Sequence, residues 1–217
     1  MFSGITVDKK LLIEKIEEAK KLSKKRKFKQ SVELIITIRN LDLKKPENRM
    51  LLVVTLPHKL KDRKICVFAD GPFADEAKKI GADLVLTKAD IEALAGKKRE
   101  IKKLATKYDF FLAQPQLMGT VGKILGAALG PRGKIPTIVP DVSQLKDKME
   151  ALRKSVRINL RYNPEACCIV GTETMDNVKL AENALTMISE LLSKIREKAR
   201  IGRIYVKTTM GKPVRVI

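Results

Sequence analysis

The segment Lys207-Thr208-Thr209-Met210-Gly211-Lys212-Pro213-Val214-Arg215 closes the chain as a polar turn between two strand-like runs, in a protein of formal net charge +20. Cations draw a chain to phosphates by releasing condensed counterions, whatever the base sequence, so charge supplies affinity and specificity needs another source. Thr hydroxyls, a flexible Met and a Gly whose bare backbone approaches a sugar or base edge closely are such a source. A second place of this kind is Lys24-Lys25-Arg26-Lys27-Phe28-Lys29, five cations around one aromatic ring, just ahead of a strand-like run. Read structurally, it is the solvated, fraying end of a helix. Read functionally, Phe28 packs on a sugar or an exposed base while its neighbours hold phosphates. Ser31 and Glu33 follow on one face of the strand, because strand side chains alternate. A carboxylate repels phosphate but accepts from the Watson–Crick-edge donors of guanine. The alternative is an ion pair with a neighbouring Lys, and the sequence leaves both open.

Two glycine–lysine segments invite a nucleotide-enzyme reading, Gly119-Thr120-Val121-Gly122-Lys123-Ile124 and Gly130-Pro131-Arg132-Gly133-Lys134-Ile135. A phosphate-binding loop needs four residues between its glycines, then Lys and Ser or Thr; both segments fail that spacing and follow Lys with Ile. Asp70-Gly71-Pro72 lacks the dinucleotide-binding glycine pattern. These read as tight turns of a fold that looks like a nucleotide-binding one. A single histidine, His58, leaves no nucleophile–base–orienter pattern and no histidine-rich metal site. Cys66, Cys167 and Cys168 offer neither a disulfide framework nor a CxxC spacing, so no cofactor and no structural zinc are expected, and Cys66 and Cys168 read as small buried hydrophobes of a cytosolic protein. Aromatic residues make up only 4%, with no Trp, so stacking of many single-stranded bases is disfavoured against recognition of a folded RNA shape. An anionic membrane surface would also suit the charge, but no apolar run reaches the roughly 18 residues of a span and no signal-type segment follows Met1.

The elements that must position these residues fall into two textures. With 44% hydrophobic and 32% charged residues, the chain has apolar material for a real core. Asp8 is placed to cap an opening helix with an apolar stripe at Leu12, Ile16 and Ala19, running out into the basic stretch from Lys20. Strands are expected over Val32 to Arg39 and Met50 to Leu56. From Ile65 the pattern becomes short apolar strands (65–69, 83–86, 108–113, 137–139) alternating with helices over 74–80, 90–106 with a break at Gly96, 119–129 and 143–153. That alternation argues for a parallel, doubly wound sheet. After about residue 155 the antiparallel texture returns, with strands Val156 to Tyr162 and Ala166 to Val170, a long helix from Asp176 to Ala199, and strands Arg203 to Thr208 and Val214 to Ile217. The fold class is therefore α/β in two domains. A discontinuous α+β domain with a mainly antiparallel sheet, residues 1–63 and 155–217, carries an inserted Rossmann-like domain, residues 64–154. The smaller share of the positive excess falls in the insert, which makes the outer domain the better candidate for the principal nucleic-acid face. Two crossing strands form a double linker that favours hinge motion, with the hinge expected at Pro57, Lys154 and Ser155.

Four motifs together carry a resemblance: Lys27-Phe28-Lys29-Gln30-Ser31-Val32-Glu33, Leu56-Pro57-His58, Leu129-Gly130-Pro131-Arg132-Gly133-Lys134-Ile135-Pro136 and Tyr205-Val206-Lys207-Thr208-Thr209-Met210-Gly211. In order and spacing the chain resembles the ribosomal protein L-one family, in its archaeal form, over essentially its whole length. The resemblance implies a non-catalytic constituent of the large ribosomal subunit. Its discontinuous domain would grip ribosomal RNA in the mobile stalk and assist release of deacylated transfer RNA. It also implies a translational repressor that binds a similar structure in its own messenger RNA. The RNA-contacting set carried over is Lys27, Phe28, Lys29, Ser31, Glu33, Lys207, Thr208, Thr209, Met210 and Gly211, with Gly171 and Thr172 as a further pair. The partners implied are large-subunit ribosomal RNA, the protein's own message, transfer RNA in passing and other large-subunit components. The place implied is the cytoplasmic ribosome, and the protein is expected to be a monomer away from it. The insert departs from the bacterial motif after Gly133, so its RNA contacts stay open. A nucleotide-dependent enzyme and a non-specific nucleic-acid compaction protein are the competing readings.

Overall fold

The structure, a computed structural model, describes residues 7–60, 62–161, 163–195 and 199–217. Tyr162 and residues 196–198, expected to end a strand and to continue the long helix, lie outside these, as does Lys61 in the first crossing. Along the chain the elements are α1 (Lys9–Lys21), β1 (Ser31–Arg39), β2 (Met50–Thr55), β3 (Ile65–Phe68), α2 (Pro72–Lys79), β4 (Leu84–Leu86), α3 (Lys88–Ala93), α4 (Lys98–Lys107) and β5 (Phe110–Ala113). They continue with α5 (Met118–Leu129), β6 (Thr137–Ile138), α6 (Ser143–Arg153), β7 (Ser155–Leu160), β8 (Glu165–Thr172), α7 (Asn177–Lys194), β9 (Arg200–Thr208) and β10 (Val214–Arg215). The chain divides into two units, Met1–Lys61 with Lys154–Ile217, and Asp62–Arg153.

In the discontinuous unit, β1 alternates strictly: Val32, Leu34, Ile36 and Ile38 are buried while Ser31, Glu33, Ile35 and Thr37 keep exposure. The buried row packs with Leu12, Ile16 and Ala19 of α1 and with Leu180, Ala184, Met187 and Leu191 of α7 in one core. α1 starts where Asp8 accepts the Lys10 N–H at 3.1 Å and ends on Lys20 and Lys21, cations that suit a helix C-terminus. The sheet runs β10-β9-β1-β8 with antiparallel neighbours, and β2 pairs β7 as a separate antiparallel ribbon.

The long helix stops short of the expected Ala199, because Ile195 turns extended (φ −75, ψ 132) and is buried in the core. β9 begins at Arg200, earlier than the expected Arg203. The strand was hidden by Gly202, which sits at a register shift where a Cβ would come within 2.8 Å of Thr37 Oγ1. There the Thr37 hydroxyl takes over the ladder, accepting from Arg203 N–H at 2.7 Å and donating to Arg203 O at 3.1 Å.

In the inserted unit, the sheet order is β4-β3-β5-β6, all parallel. β3 and β5 are buried along their whole length, and their side chains divide between two cores. Cys66, Phe68 and Phe111 pack with Ile91, Ile101, Ala105, Val121 and Leu125 on one face, with the Phe68 and Phe111 rings stacked at 5.8 Å. Ile65, Val67, Phe110 and Leu112 pack with Phe73, Ala77, Leu145, Met149 and Leu152 on the other. A sheet covered on both faces requires continuous apolar strands, as the sequence has. Gly96 (φ +80) separates α3 from α4, a left-handed position that a side chain would strain.

Where the first crossing leaves the discontinuous unit, Asn183 of α7 is fully buried with every amide atom used. Its Oδ1 accepts from His58 N–H at 3.0 Å, and its Nδ2 donates to His58 O at 3.1 Å and Val170 O at 2.8 Å. Beside it Glu182 accepts from Lys9 at 2.8 Å and is bonded to the His58 ring. Replacing Asn183 by Leu keeps the volume and orphans those three backbone groups, so Asn183→Leu should cost about 2–3 kcal/mol in urea unfolding; an unchanged midpoint would refute the clamp. The Lys9 hydrogen bond, then that of His58, hold the Glu182 carboxyl down at about 2, against an ordinary value near 4.5. A depressed carboxylate stabilises the fold above its unfolded value and stops doing so as pH falls through its folded one. Wild type should therefore lose stability relative to Glu182→Gln between about pH 4.5 and 2, read as urea midpoints across that window.

Candidate nucleic-acid interface

The interface is built at one end of β1. α1 ends at Lys21, so the run from Lys24 to Lys29 is an irregular, exposed segment and not a fraying helix end. Lys20 is not part of it: its ammonium donates to Met175 O at 2.7 Å and Asn177 Oδ1 at 2.6 Å, and burial lowers its pKa. Phe28 stands 51% exposed among Lys24, Lys25, Arg26, Lys27 and Lys29. Its sequence neighbours are all charged, and keeping half of an aromatic ring in water costs stability.

The residue that organises this end is Gln30, only 1% exposed. Its side-chain oxygen accepts the Met210 N–H at 3.2 Å, and its amide nitrogen donates to Ser23 Oγ at 2.9 Å, Lys24 O at 3.1 Å and Glu173 Oε2 at 3.2 Å. An amide nitrogen has two hydrogens, so one of them is shared between acceptors. The Gln30 backbone adds two bonds to Glu173, N–H to Oε1 at 3.0 Å and O from Glu173 N–H at 2.9 Å. One buried amide thus ties the basic segment, the turn after β8 and the turn after β9 to the same point. The sequence reading quoted Gln30 within a motif without assigning it a role. Its signal is its place, a single amide between a charged run and a strand.

The turn after β9 is locked to β1 by Thr209. Its N–H donates to Ser31 O at 2.9 Å, while its hydroxyl accepts from Ser31 N–H at 2.9 Å and donates to Ser31 O at 3.3 Å. Thr208 is wholly buried and donates to Ser23 Oγ at 2.9 Å, so it braces the turn and presents no hydroxyl outward. Gly211 is required from inside, since a Cβ there would collide with the Thr208 hydroxyl. Gly171 is likewise a packing glycine, as a Cβ would strike Leu180 and Met175. Gly211 is the glycine expected to bring bare backbone close to RNA, and at both positions the space beside Cα is filled by the protein's own side chains. Met210 is left 60% exposed at the tip.

Register brings the remaining residues together. Ser31 lies opposite Thr172 of β8, and Glu33 lies opposite Lys207 of β9. Lys207 Nζ stands 3.9 Å from Glu33 Oε2, so the ion-pair reading of Glu33 holds in the free protein. A part-exposed pair at that distance is worth little, and the carboxylate remains available for exchange onto an incoming donor. The assembled face offers two exposed apolar side chains, a cluster of cations, a Ser hydroxyl and one loosely held carboxylate on a rigid hydrogen-bonded bracket. Such a face can stack on a sugar or base, neutralise phosphates and read a base edge. None of the bonds that assemble this face involves the expected hinge residues Pro57, Lys154 and Ser155; Leu56 N–H donates to Lys154 O at 3.1 Å, and buried Ser155 shares a 3.0 Å hydroxyl bond with Thr55.

The two glycine–lysine segments of the insert are built differently from a phosphate-binding loop. Gly119 to Lys123 lies inside α5 and is not a turn. Arg132 and Lys134 instead donate to helix-end carbonyls, Arg132 to Ala128 O at 3.0 Å and Lys134 to Ala105 O at 2.8 Å and Tyr108 O at 2.6 Å. Phosphates bind the amide end of a helix, whereas cations close the carbonyl end. Because Gln30 holds the Phe28 and Met210 segments without presenting a side chain of its own, Gln30→Leu should lower affinity for a cognate RNA at least tenfold. It should also raise hydrogen exchange at Met210 and Gly211; slow exchange with lost affinity would mean that Gln30 touches the RNA directly.

The profile described as "Ribosomal protein L1p/L10e family" matches residues 18–212. Among curated relatives, "Large ribosomal subunit protein uL1" of Pyrobaculum arsenaticum is 45% identical over 213 residues, covering 98% of this chain and 96% of the relative. The protein of the same name from Pyrococcus abyssi is 44% identical over 217 residues, 99% of each chain, and that of Thermofilum pendens is 48% identical over 208 residues, 94% of this chain and 92% of the relative. A match that runs through the Phe28 segment, the insert and the Met210 turn alike covers both units, and the chain belongs to the ribosomal protein L1p/L10e family.

Proposed function

We propose that this protein is a non-catalytic constituent of the cytoplasmic large ribosomal subunit, and that its discontinuous unit binds ribosomal RNA in the mobile stalk. The observation that carries the reading is the Gln30 bracket. It spends a buried amide and two packing glycines to hold Phe28 and Met210 out in water beside five cations. In this reading Phe28 and Met210 pack on sugar or base surfaces, Ser31 and Glu33 take base-edge or 2′-hydroxyl donors, and Lys27, Lys29 and Lys207 serve phosphates. Thr208, Thr209, Gly171 and Gly211 shape the face, and Thr172 flanks it.

The inserted unit would swing about the two crossings near Pro57 and Lys154. Motion of that kind would let the stalk assist departure of deacylated transfer RNA. The same face would bind a similar structure in the protein's own messenger RNA and repress its translation when ribosomal RNA is scarce. The protein is taken to be a monomer away from the ribosome. These roles draw support from the relatives' name, "Large ribosomal subunit protein uL1", and from the family resemblance.

The test is a filter-binding titration against the stalk segment of large-subunit ribosomal RNA and a shape-scrambled control, at two salt concentrations. Met210→Ala is the cleaner probe than Thr209→Ala, because the Met210 side chain stands exposed while Thr209 also holds Ser31. Met210→Ala should cost about 1–3 kcal/mol on the native RNA alone, whereas Lys25→Gln should weaken both RNAs alike and flatten the salt slope by roughly 0.7–0.9. Equal binding of the two RNAs by wild type, or no loss in Met210→Ala, would overturn the reading.

A further inference from the structure

The inserted unit carries a helix, α4, whose surface charges are nearly all of one sign. α1 and α2 alternate signs along their surfaces: Glu17 pairs Lys21 at 2.7 Å, Lys15 pairs Glu18 at 2.8 Å and Glu76 pairs Lys79 at 3.4 Å. In α4, Lys98 stands over Lys102, Arg99 over Lys103 and Lys103 over Lys107, each four residues apart, and all are exposed. Like charges at that spacing destabilise a helix by about 0.2–0.5 kcal/mol a pair. The helix also opens on Lys97 with no side-chain cap, and then Lys98 and Arg99, which places cations at the positive end of its dipole. Its one acidic residue, Glu100, lies 3.9 Å from Lys97. Among the described residues, Lys98, Arg99, Lys102 and Lys103 make no ion pair. The like-charge rows and the uncapped, cationic start both cost this helix stability, although Glu100 lies in its first turn; such places are where function overrides stability.

The inward face explains why α4 forms regardless. Ile101 and Ala105 are buried against the β3–β5 sheet, so tertiary packing holds the helix while its outer face is left to charge. That outer face holds no exposed aromatic or large apolar side chain, only Lys, Arg, Glu100 and Thr106. A protein partner needs an apolar anchor in the centre of its interface, and this face has none. Base reading would need a stacking ring or an amide. What remains is phosphate: the two cationic rows advance about 6 Å per step, from a rise of about 1.5 Å per residue, a spacing that tracks a charged strand.

We propose that the outer face of α4 is a second RNA-binding surface, a ladder of Lys98, Arg99, Lys102, Lys103 and Lys107 that takes the phosphate backbone of an RNA helix without reading its sequence. It goes beyond the interface at β1 and stands independently of it. The ladder lies on the insert, so it would let that unit hold RNA while the discontinuous unit holds its specific site, with affinity set by ionic strength.

The experiment uses the full chain with Lys98, Arg99, Lys102 and Lys103 all changed to Gln, titrated against an RNA duplex of arbitrary sequence over a series of salt concentrations. Each lost phosphate contact removes roughly 0.7–0.9 from the slope of log affinity against log salt, so the variant should lose about 3. Its Tm should equal or exceed that of wild type, since Gln is as good a helix former and the repulsion is gone. Glu100→Lys should steepen the slope by roughly 0.7–0.9. Coincident slopes for wild type and the fourfold variant would overturn the ladder and point to an acidic protein surface instead. A Tm several degrees below wild type would overturn its premise that these cations burden the helix. Failure here leaves the Met210→Ala result untouched, and an unchanged Met210→Ala would bring down the reading at β1 while leaving the ladder standing.

Discussion

Everything at the candidate RNA-binding end depends on one strand, β1, being paired along both edges by segments far away in the chain. Its partners come from residues 165–172 on one side and 200–208 on the other, both antiparallel. The register cannot slip, because a shift of one residue would move Val32, Leu34, Ile36 and Ile38 from the core into water. Threonine hydroxyls complete the β1–β9 ladder at its bulge, Thr37 on Arg203, and at its interface end, Thr209 on Ser31. With register and interface end pinned, the positions of Phe28 and Met210 are set by the core and not by the loops that carry them.

Residues with hydroxyls and glycines looked, in the linear chain, like the natural means of meeting RNA. In the free protein several of them also have internal work. Thr208, Gly211 and Gly171 make internal contacts, and the side chains offered to solvent are a ring, a thioether, cations, the Ser31 hydroxyl and the Glu33 carboxylate. The same economy holds elsewhere in the unit. Lys9, Lys20, His58 and Glu182 are consumed by internal bonds that fasten α1 and the first crossing to α7, while Lys24 to Lys29 are left outside. A charge that the fold uses finds a partner; a charge that faces a polyanion does not need one.

The inserted unit shows why architecture and chemistry have to be argued separately. It has the parallel sheet and flanking helices of nucleotide-binding folds, yet one glycine–lysine segment is wound into the first turns of α5 and the other closes helix carbonyl ends. Lys134 bonds the carbonyls that close α4, so the lysine that invited a phosphate reading is a structural cap.

Much of this protein was legible in the linear chain because local rules and burial agreed there. The alternation of β1, the wholly apolar β3 and β5, the Asp8 cap and the Gly96 break all report a single physical demand each, and each appears as read. The parallel insert and the antiparallel outer sheet follow from those patterns, and the composition pointed to a polyanionic partner. What the chain could not show is whatever depends on a neighbour more than a hundred residues away. The Gln30 bracket needs Glu173 and Met210, the early start of β9 needs Thr37 beside Gly202, and the end of α7 at Lys194 depends on where Ile195 is buried. Local sequence encodes which face of an element seeks water. Only the folded core decides which distant groups meet, because hydrogen bonds and close contacts are satisfied in space and not along the chain.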